Sequence, residues 1–329
     1  MCGCIMVEIT LGKFRALSRA SHEGVFGILA LDHQDALRRA MHQDNPESVT
    51  DEELTTFKLD VVKELSPAFT GVLHDPVWGA SQAIAAHLAH AGLLVELEKA
   101  DYGLSPLPLN VEIRPDWSVA NIKRMGADGV KLFFYYLPEP SKHRDYQESI
   151  VAQAVADCKT HDIPLYAEPI RYPLTHESIS SINYLTDTTR IVVESARQIG
   201  ALGADILKLE FPVSVEHSGD EGVWIAACQQ ITAAIQIPWT LLSAGVDFDT
   251  FARQVACACK GGASGFIVGR AVWGEACILE GDKRHRWLRS VARPRMEQLL
   301  EIAYREAVPW THYLQPEPVD TTWHSRYTE

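Results

Sequence analysis

The sequence predicts a (β/α)8 barrel, and three observations carry that prediction. Eight short apolar runs of strand length recur along the 329 residues, each bounded by Gly, Pro or Asp. The runs are uniformly apolar rather than alternating, as suits strands buried on both faces of a parallel sheet. Segments of helical pattern separate them, and such alternation builds parallel βαβ units. Eight units in one chain close most simply into a barrel. The other way to arrange them is an open doubly wound sheet, but no Gly-x-Gly-x-x-Gly follows the first run.

In chain order the first four runs are Gly27–Asp32 (GILALD), Thr70–Pro76 (TGVLHDP), Leu93–Lys99 (LLVELEK) and Gly129–Tyr136 (GVKLFFYY). The last four are Ile163–Ile170 (IPLYAEPI), Asp205–Val213 (DILKLEFPV), Pro238–Gly245 (PWTLLSAG) and Gly265–Val272 (GFIVGRAV). Among the intervening helices, Asp51–Leu65 opens with Thr50 as N-cap and Glu53 at the capping-box spacing. Arg144–His161, Thr188–Leu202 and Gly222–Ala234 follow the same helical pattern. Lys260-Gly261-Gly262 ends the helix before the eighth run, with glycine at its C-cap. Arg286–Ala307 is expected to be a final long helix and Pro309–Glu329 a trailing tail. With no linker or low-complexity segment, residues 1–329 are expected to form one catalytic domain. Its barrel core spans about 25–285, preceded by an N-terminal extension and followed by a C-terminal helix and tail over 286–329.

Composition bounds the function. Hydrophobic residues make up 47% and charged residues 22%, ordinary values for a globular chain. No run of 18 apolar residues is present, so a membrane span is not expected. Thirty Lys and Arg against 43 Asp and Glu leave a net charge of −13. That balance disfavours nucleic acid and anionic membranes as partners, so any anionic ligand needs basic residues gathered locally. Met1–Thr10 has no basic residue ahead of its short apolar stretch and does not resemble a secretory signal. The seven cysteines contain no Cys-x-x-Cys, and Cys2-x-Cys4 and Cys257-x-Cys259 have the wrong spacing for zinc. They fit reduced structural thiols in a cytoplasmic protein.

Barrel active sites lie at the C-terminal ends of the strands, and charge inside an apolar strand is costly unless used. Lys208 lies in the sixth run, sharing a face with Ile206 and Glu210. It is either one half of an ion pair with Glu210 or Glu168, or a nucleophile. Lys131 lies in the fourth run on the face of Phe133 and Tyr135. Two lysines brought into one barrel would repel, and repulsion with desolvation favours a neutral, attacking amine, as in Schiff-base chemistry. Glu168, near the end of the fifth run, suits a proton shuttle or a lysine counter-ion. Asp32 ends the first run, as a helix N-cap or a site carboxylate. The seventh and eighth runs end in Ser243-Ala244-Gly245 and Gly269-Arg270, where barrels often hold a phosphate on backbone N–H groups. Glycine allows close approach there, and Arg270 adds a bidentate charge.

Other motifs carry less. His87-x-x-His90 lacks a third metal ligand nearby, and no P-loop or Gly-x-Ser-x-Gly is present. Phe133-Phe134-Tyr135-Tyr136 fits barrel core and rim.

The motifs together resemble the tagatose 1,6-bisphosphate aldolase family of class I aldolases, which includes sulfofructose-phosphate aldolases. They are Leu31-Asp32, Gly129-Val130-Lys131, Ala167-Glu168-Pro169, Leu207-Lys208-Leu209-Glu210 with Pro212-Val213, Leu242-Ser243-Ala244-Gly245-Val246, and Gly262-Ala263-Ser264-Gly265 leading to Gly269-Arg270-Ala271-Val272-Trp273. Their order is kept over residues 25 to 305. The resemblance implies a (β/α)8 barrel, no metal or other cofactor, and Lys208 as the Schiff-base lysine. It implies Glu168 and Lys131 in proton transfer and Arg270 on the substrate phosphate.

The expected activity is cleavage of a phosphorylated ketose between C3 and C4 to dihydroxyacetone phosphate and an aldehyde. Lys208, Glu168, Lys131 and Asp32 would be catalytic, and Arg270, Ser243, Gly245, Gly269, His33 and Gln34 would bind substrate. A phosphorylated sugar is the expected partner, and self-association into a homo-oligomer is left open. The alternatives are a metal-dependent aldolase or isomerase on the same fold, and a non-catalytic sugar-phosphate sensor. One departure stands out: the family commonly reads Asp-Gln-Arg where this chain has Asp32-His33-Gln34. Gln34 is uncharged, and His33 would be partly charged near neutral pH, so a second anion is expected to be held less firmly.

Overall fold

The computed structural model describes residues 6–99, 109–172, 187–215, 218–325 and 327. After β1 (Val7–Ile9) and α1 (Leu11–Arg19), eight parallel strands close a barrel in chain order. They are β2 (Phe26–Leu31), β3 (Gly71–His74), β4 (Gly92–Glu96), β5 (Gly129–Tyr135), β6 (Leu165–Ile170), β7 (Ile206–Leu209), β8 (Trp239–Leu242) and β9 (Gly265–Val268). Each predicted run becomes one strand; all but β5 and β9 change at their first residue, β2 and β4 starting one residue earlier than expected, and every strand but β6 ends short of its run where the chain turns into a loop. β9 pairs with β2 and completes the (β/α)8 barrel.

Side-chain alternation divides the strands. Phe26, Ile28 and Ala30, with Leu73, Leu94, Tyr166, Ile206 and Ile267, fill the barrel interior. Leu29, Leu31, Val72, Val95, Val130, Leu132, Leu207 and Val268 point outward into the shell of helices. Continuously apolar strands follow from this two-sided burial.

The helices are α2 (Asp35–Met41), α3 (Asp51–Leu65), α4 (Ala80–Ala85), α5 (Val119–Arg124), α6 (Lys142–Thr160) and α7 (Thr188–Ala201). They continue with α8 (Glu221–Ala234), α9 (Phe248–Lys260), α10 (Arg270–Trp273), α11 (Gly281–Trp287) and α12 (Arg293–Glu306). The capping box of α3 forms as expected: Glu53 N donates to Thr50 Oγ1 at 3.2 Å, and Thr50 N donates to Glu53 Oε2 at 2.7 Å. Gly261 caps α9, where a Cβ would overlap Cys228.

Two C-terminal expectations are corrected. The final helix begins at Gly281 and passes through a π-turn, Leu288–Ala292, into α12. Pro294 sits in the first turn of α12, where its missing N–H is tolerated, and the wider turn lies just ahead of it. The tail is not trailing: Leu314–Pro316 forms β10, which pairs in parallel with β1. Trp310 is buried beneath the barrel, and its Nε1 donates to Ser21 Oγ at 2.9 Å.

α1 closes the same end. Lys13 Nζ reaches both oxygens of Asp205 at 2.9 Å, and Arg19 Nε reaches Asp128 at 2.8 Å. Each aspartate also accepts a backbone N–H at a strand start, Asp205 from Leu165 and Asp128 from Leu93. Of the cysteines, Cys2 and Cys4 lie outside the described residues, and the other five are free, buried thiols. Among the described residues no helix is long and apolar enough to cross a membrane.

Candidate active site

At the C-terminal end of the barrel the interior changes from apolar to charged. Strand register sets Glu96 beside Lys131, and Lys208 beside Thr240. Above Lys131 on β5, Phe133 is level with Glu168 of β6. Because successive inward positions are two residues apart, these side chains form a layer above Leu94, Tyr166 and Ile206.

Lys208 Nζ donates to Glu168 Oε2 at 2.9 Å, and Lys131 Nζ lies 3.3 Å from the same oxygen. Lys131 also meets Asp32 Oδ2 at 2.9 Å and Glu98 Oε1 at 2.6 Å. From sequence the two lysines are expected to repel each other across an apolar barrel. The structure instead sets three carboxylates around Lys131, so opposite charges alternate through the cluster. Burial works to raise the Asp32 pKa, but Lys131 and then Lys208 outweigh it and hold the carboxyl well below its usual range.

A cavity of about 270 Å³ opens above this layer. Asp32, His33, Glu168, Lys208, Ser243, Gly245, Gly269 and Arg270 all line it, together with Phe133, Tyr135 and Glu210. Lys131 does not; the Phe133 ring covers it, with Nζ 5.4 Å from the ring centroid. Next to Lys208, the turn after β8 places Ala244 and Gly245 at φ 46° and 82°, a left-handed conformation that glycine adopts without strain. Arg270 is exposed at the rim and lies over Gly245, where a Cβ would stand 3.5 Å from its Nη2. Arg270 has no ion-pair partner among the described residues.

Gln34 departs from its expected place. It is buried, does not line the cavity, and donates through Nε2 to Glu96 Oε1. Its Oε1 accepts from Arg114 Nη2 at 3.1 Å. Gln34 is the residue before α2, and the chain turns there, so its side chain is directed to Glu96 and Arg114 and not into the cavity. His33 does line the cavity, but it is not partly charged. Burial, against the pull of Asp32 and with the help of Arg270, pushes its pKa down to about 3.

Sequence reasoning passed over Glu96 and Glu98, whose spacing of two in LLVELEK was the available signal. Burial, reinforced by Glu98, pushes Glu96 well above the usual carboxylate range. Glu210, weighed earlier as a partner for Lys208, instead accepts from Arg171 N at 2.9 Å, and burial raises its pKa. Among the described residues no group of three or more His, Cys, Asp or Glu is placed to hold a metal ion.

Comparison with known proteins identifies the family. The profile described as DeoC/LacD family aldolase matches residues 26–275. A protein of Listeria monocytogenes named tagatose 1,6-diphosphate aldolase is 31% identical, covering 93% of this chain and 95% of its own. Tagatose 1,6-diphosphate aldolase 1 of Streptococcus pyogenes is 30% identical over 93% of this chain and 99% of its own. In fold, the chain is similar to an archaeal fructose 1,6-bisphosphate aldolase with a TM-score of 0.59 at 22% identity, covering 89% of this chain and 98% of that one. The barrel, the family profile and the relatives converge, and the chain belongs to the DeoC/LacD aldolase family.

Proposed function

We propose that this aldolase works through a Schiff base on Lys208. It would reversibly cleave a phosphorylated ketose of the tagatose 1,6-bisphosphate kind into dihydroxyacetone phosphate and an aldehyde. The observation that carries the reading is the Lys208–Glu168 pair, at 2.9 Å in the wall of a cavity that Arg270 also lines. A single-domain cytoplasmic enzyme is part of the same proposal.

The pair shares one transferable proton. Passed from Lys208 to Glu168, it leaves a neutral amine that attacks C2 of the ketose. The Glu168 acid then protonates the carbinolamine hydroxyl, which leaves as water and gives the iminium. Glu168, again a carboxylate, takes the C4 hydroxyl proton as the C3–C4 bond breaks, and the electron pair moves into the iminium as an enamine. The aldehyde departs, Glu168 returns the proton to C3, and hydrolysis releases the second product.

Lys131 does not line the cavity, so its part is to hold the carboxyl groups of Asp32 and Glu168 in position. Ser243, Gly245, Gly269 and Arg270 would take the C1 phosphate, where a guanidinium with no ion-pair partner among the described residues, beside a glycine turn, suits an anion.

Incubation with dihydroxyacetone phosphate and borohydride, followed by peptide mass spectrometry, tests the reading. A reduced adduct on Lys208, lost in Lys208→Met, is expected. An adduct on Lys131, or none, would defeat it.

A further inference from the structure

His33 stands in the cavity wall where its neighbours fix its chemistry. Its ring meets Trp273 edge-on, with centroids 5.1 Å apart and planes at 89°. Trp273 is itself tied through Nε1 to Ala30 O at 3.0 Å. On another side is Gly269, where a Cβ would stand 2.8 Å from His33 Cε1. The imidazole is therefore wedged between the ends of β2 and β9.

The two ring nitrogens face different surroundings. Nδ1 is buried without a hydrogen bond and lies 3.6 Å from Asp32 Oδ1. With a pKa near 3 the ring is neutral, so it carries one N–H and one lone pair. Anionic Asp32 favours the proton on Nδ1. That leaves Nε2 as a lone-pair acceptor on the cavity side. The charged groups of the surrounding wall are the cations Lys208 and Arg270 and the carboxylates of Asp32, Glu168 and Glu210, while Tyr135 and Ser243 add hydroxyls; His33 is the one imidazole among the lining residues.

A neutral acceptor selects its partner. It repels a phosphate or sulfonate oxygen, which has no proton to give, so His33 is unsuited to a second anion. It suits a hydroxyl. With C2 fixed on Lys208 and the C1 phosphate at Arg270, the remaining hydroxyl of the three-carbon half is the one on C3. His33 lies between Asp32 and the Gly269-Arg270 turn, in the wall of the same cavity that Lys208 and Arg270 line.

We propose that His33 accepts a hydrogen bond from the C3 hydroxyl of the ketose and so selects dihydroxyacetone phosphate over its 3-deoxy analogue. This rests on the Schiff-base reading above.

The test compares borohydride trapping of dihydroxyacetone phosphate with that of hydroxyacetone phosphate, in which a methyl group replaces the C3 hydroxymethyl. One neutral hydrogen bond corresponds to a preference of about tenfold in half-saturation concentration. That preference is expected in the native protein, is expected to fall to about twofold or less in His33→Phe, and is expected to return largely in His33→Gln, whose amide oxygen can accept. If His33→Phe does not fold, His33→Leu gives the same readout with a smaller side chain. A native enzyme that does not discriminate, or an apolar variant that still does, overturns the proposal. If neither ketone is trapped by the native protein, the Schiff-base reading itself fails, an outcome distinct from trapping without discrimination.

Discussion

Lys208 and Glu168 meet through a single carboxylate oxygen, which Lys131 also reaches from the far side. In the proposed reaction Glu168 would exchange its proton on the cavity side while Lys131 keeps the carboxyl group in place.

Glu168→Gln removes the proton carrier but preserves shape. We expect kcat to fall about 10²-fold or more, with KM changed little. Steady-state kinetics checks this; a rise in KM with kcat intact would assign Glu168 to binding instead.

Arg270→Ala is expected to weaken a phosphorylated ketose by about 10- to 100-fold, the scale of a lost charge-assisted contact. An unphosphorylated ketose should lose far less. Comparing kcat/KM for the two sugars decides the matter, since equal losses would separate Arg270 from the phosphate.

Gln34→Arg leaves the ratio of kcat/KM for a ketose 1,6-bisphosphate and its 1-phosphate unchanged, because residue 34 points at Glu96 and away from the cavity. A shift toward the bisphosphate of about tenfold or more would show that this position reads the distal anion after all.

His74 gives the protein an acid-labile component. Both its ring nitrogens are buried without hydrogen bonds. Burial, reinforced by Lys58, pushes its pKa down to about 4 from an ordinary 6.5. The folded state thus binds this proton more weakly than the unfolded chain does. The stabilising contribution is complete above pH 6.5 and is lost as the pH falls towards 4. Its full size is roughly 3 kcal/mol. Urea unfolding at about pH 7.5 and about pH 5 should show a smaller acid loss in His74→Leu than in the native protein. Equal losses would place the acid sensitivity elsewhere, for instance at His33.

The barrel was legible because each strand is buried on both faces, and that requirement writes itself locally as an apolar run. Lys208, Lys131 and Glu168 were legible for the same reason: a charge inside such a run stands out. Gln34 was not. The two-residue period that orients strand side chains ends with β2, and the turn into α2 decides where the next residues point. β10 was missed because its partner, β1, lies some 300 residues away and leaves no local trace. Glu98 was readable by spacing, but its contact with Lys131 depends on how β4 and β5 align.

The latch of α1 beneath the barrel also bears on the order in which the protein folds. Lys13 pairs with a residue 192 positions away, and Arg19 with one 109 positions away. Neither contact exists until the loop between its partners has closed, and such closures are entropically costly and slow. α1 precedes every barrel strand in the chain, yet it gains its ion pairs only after β5 and β7 are in place. Early synthesis gives this helix no head start.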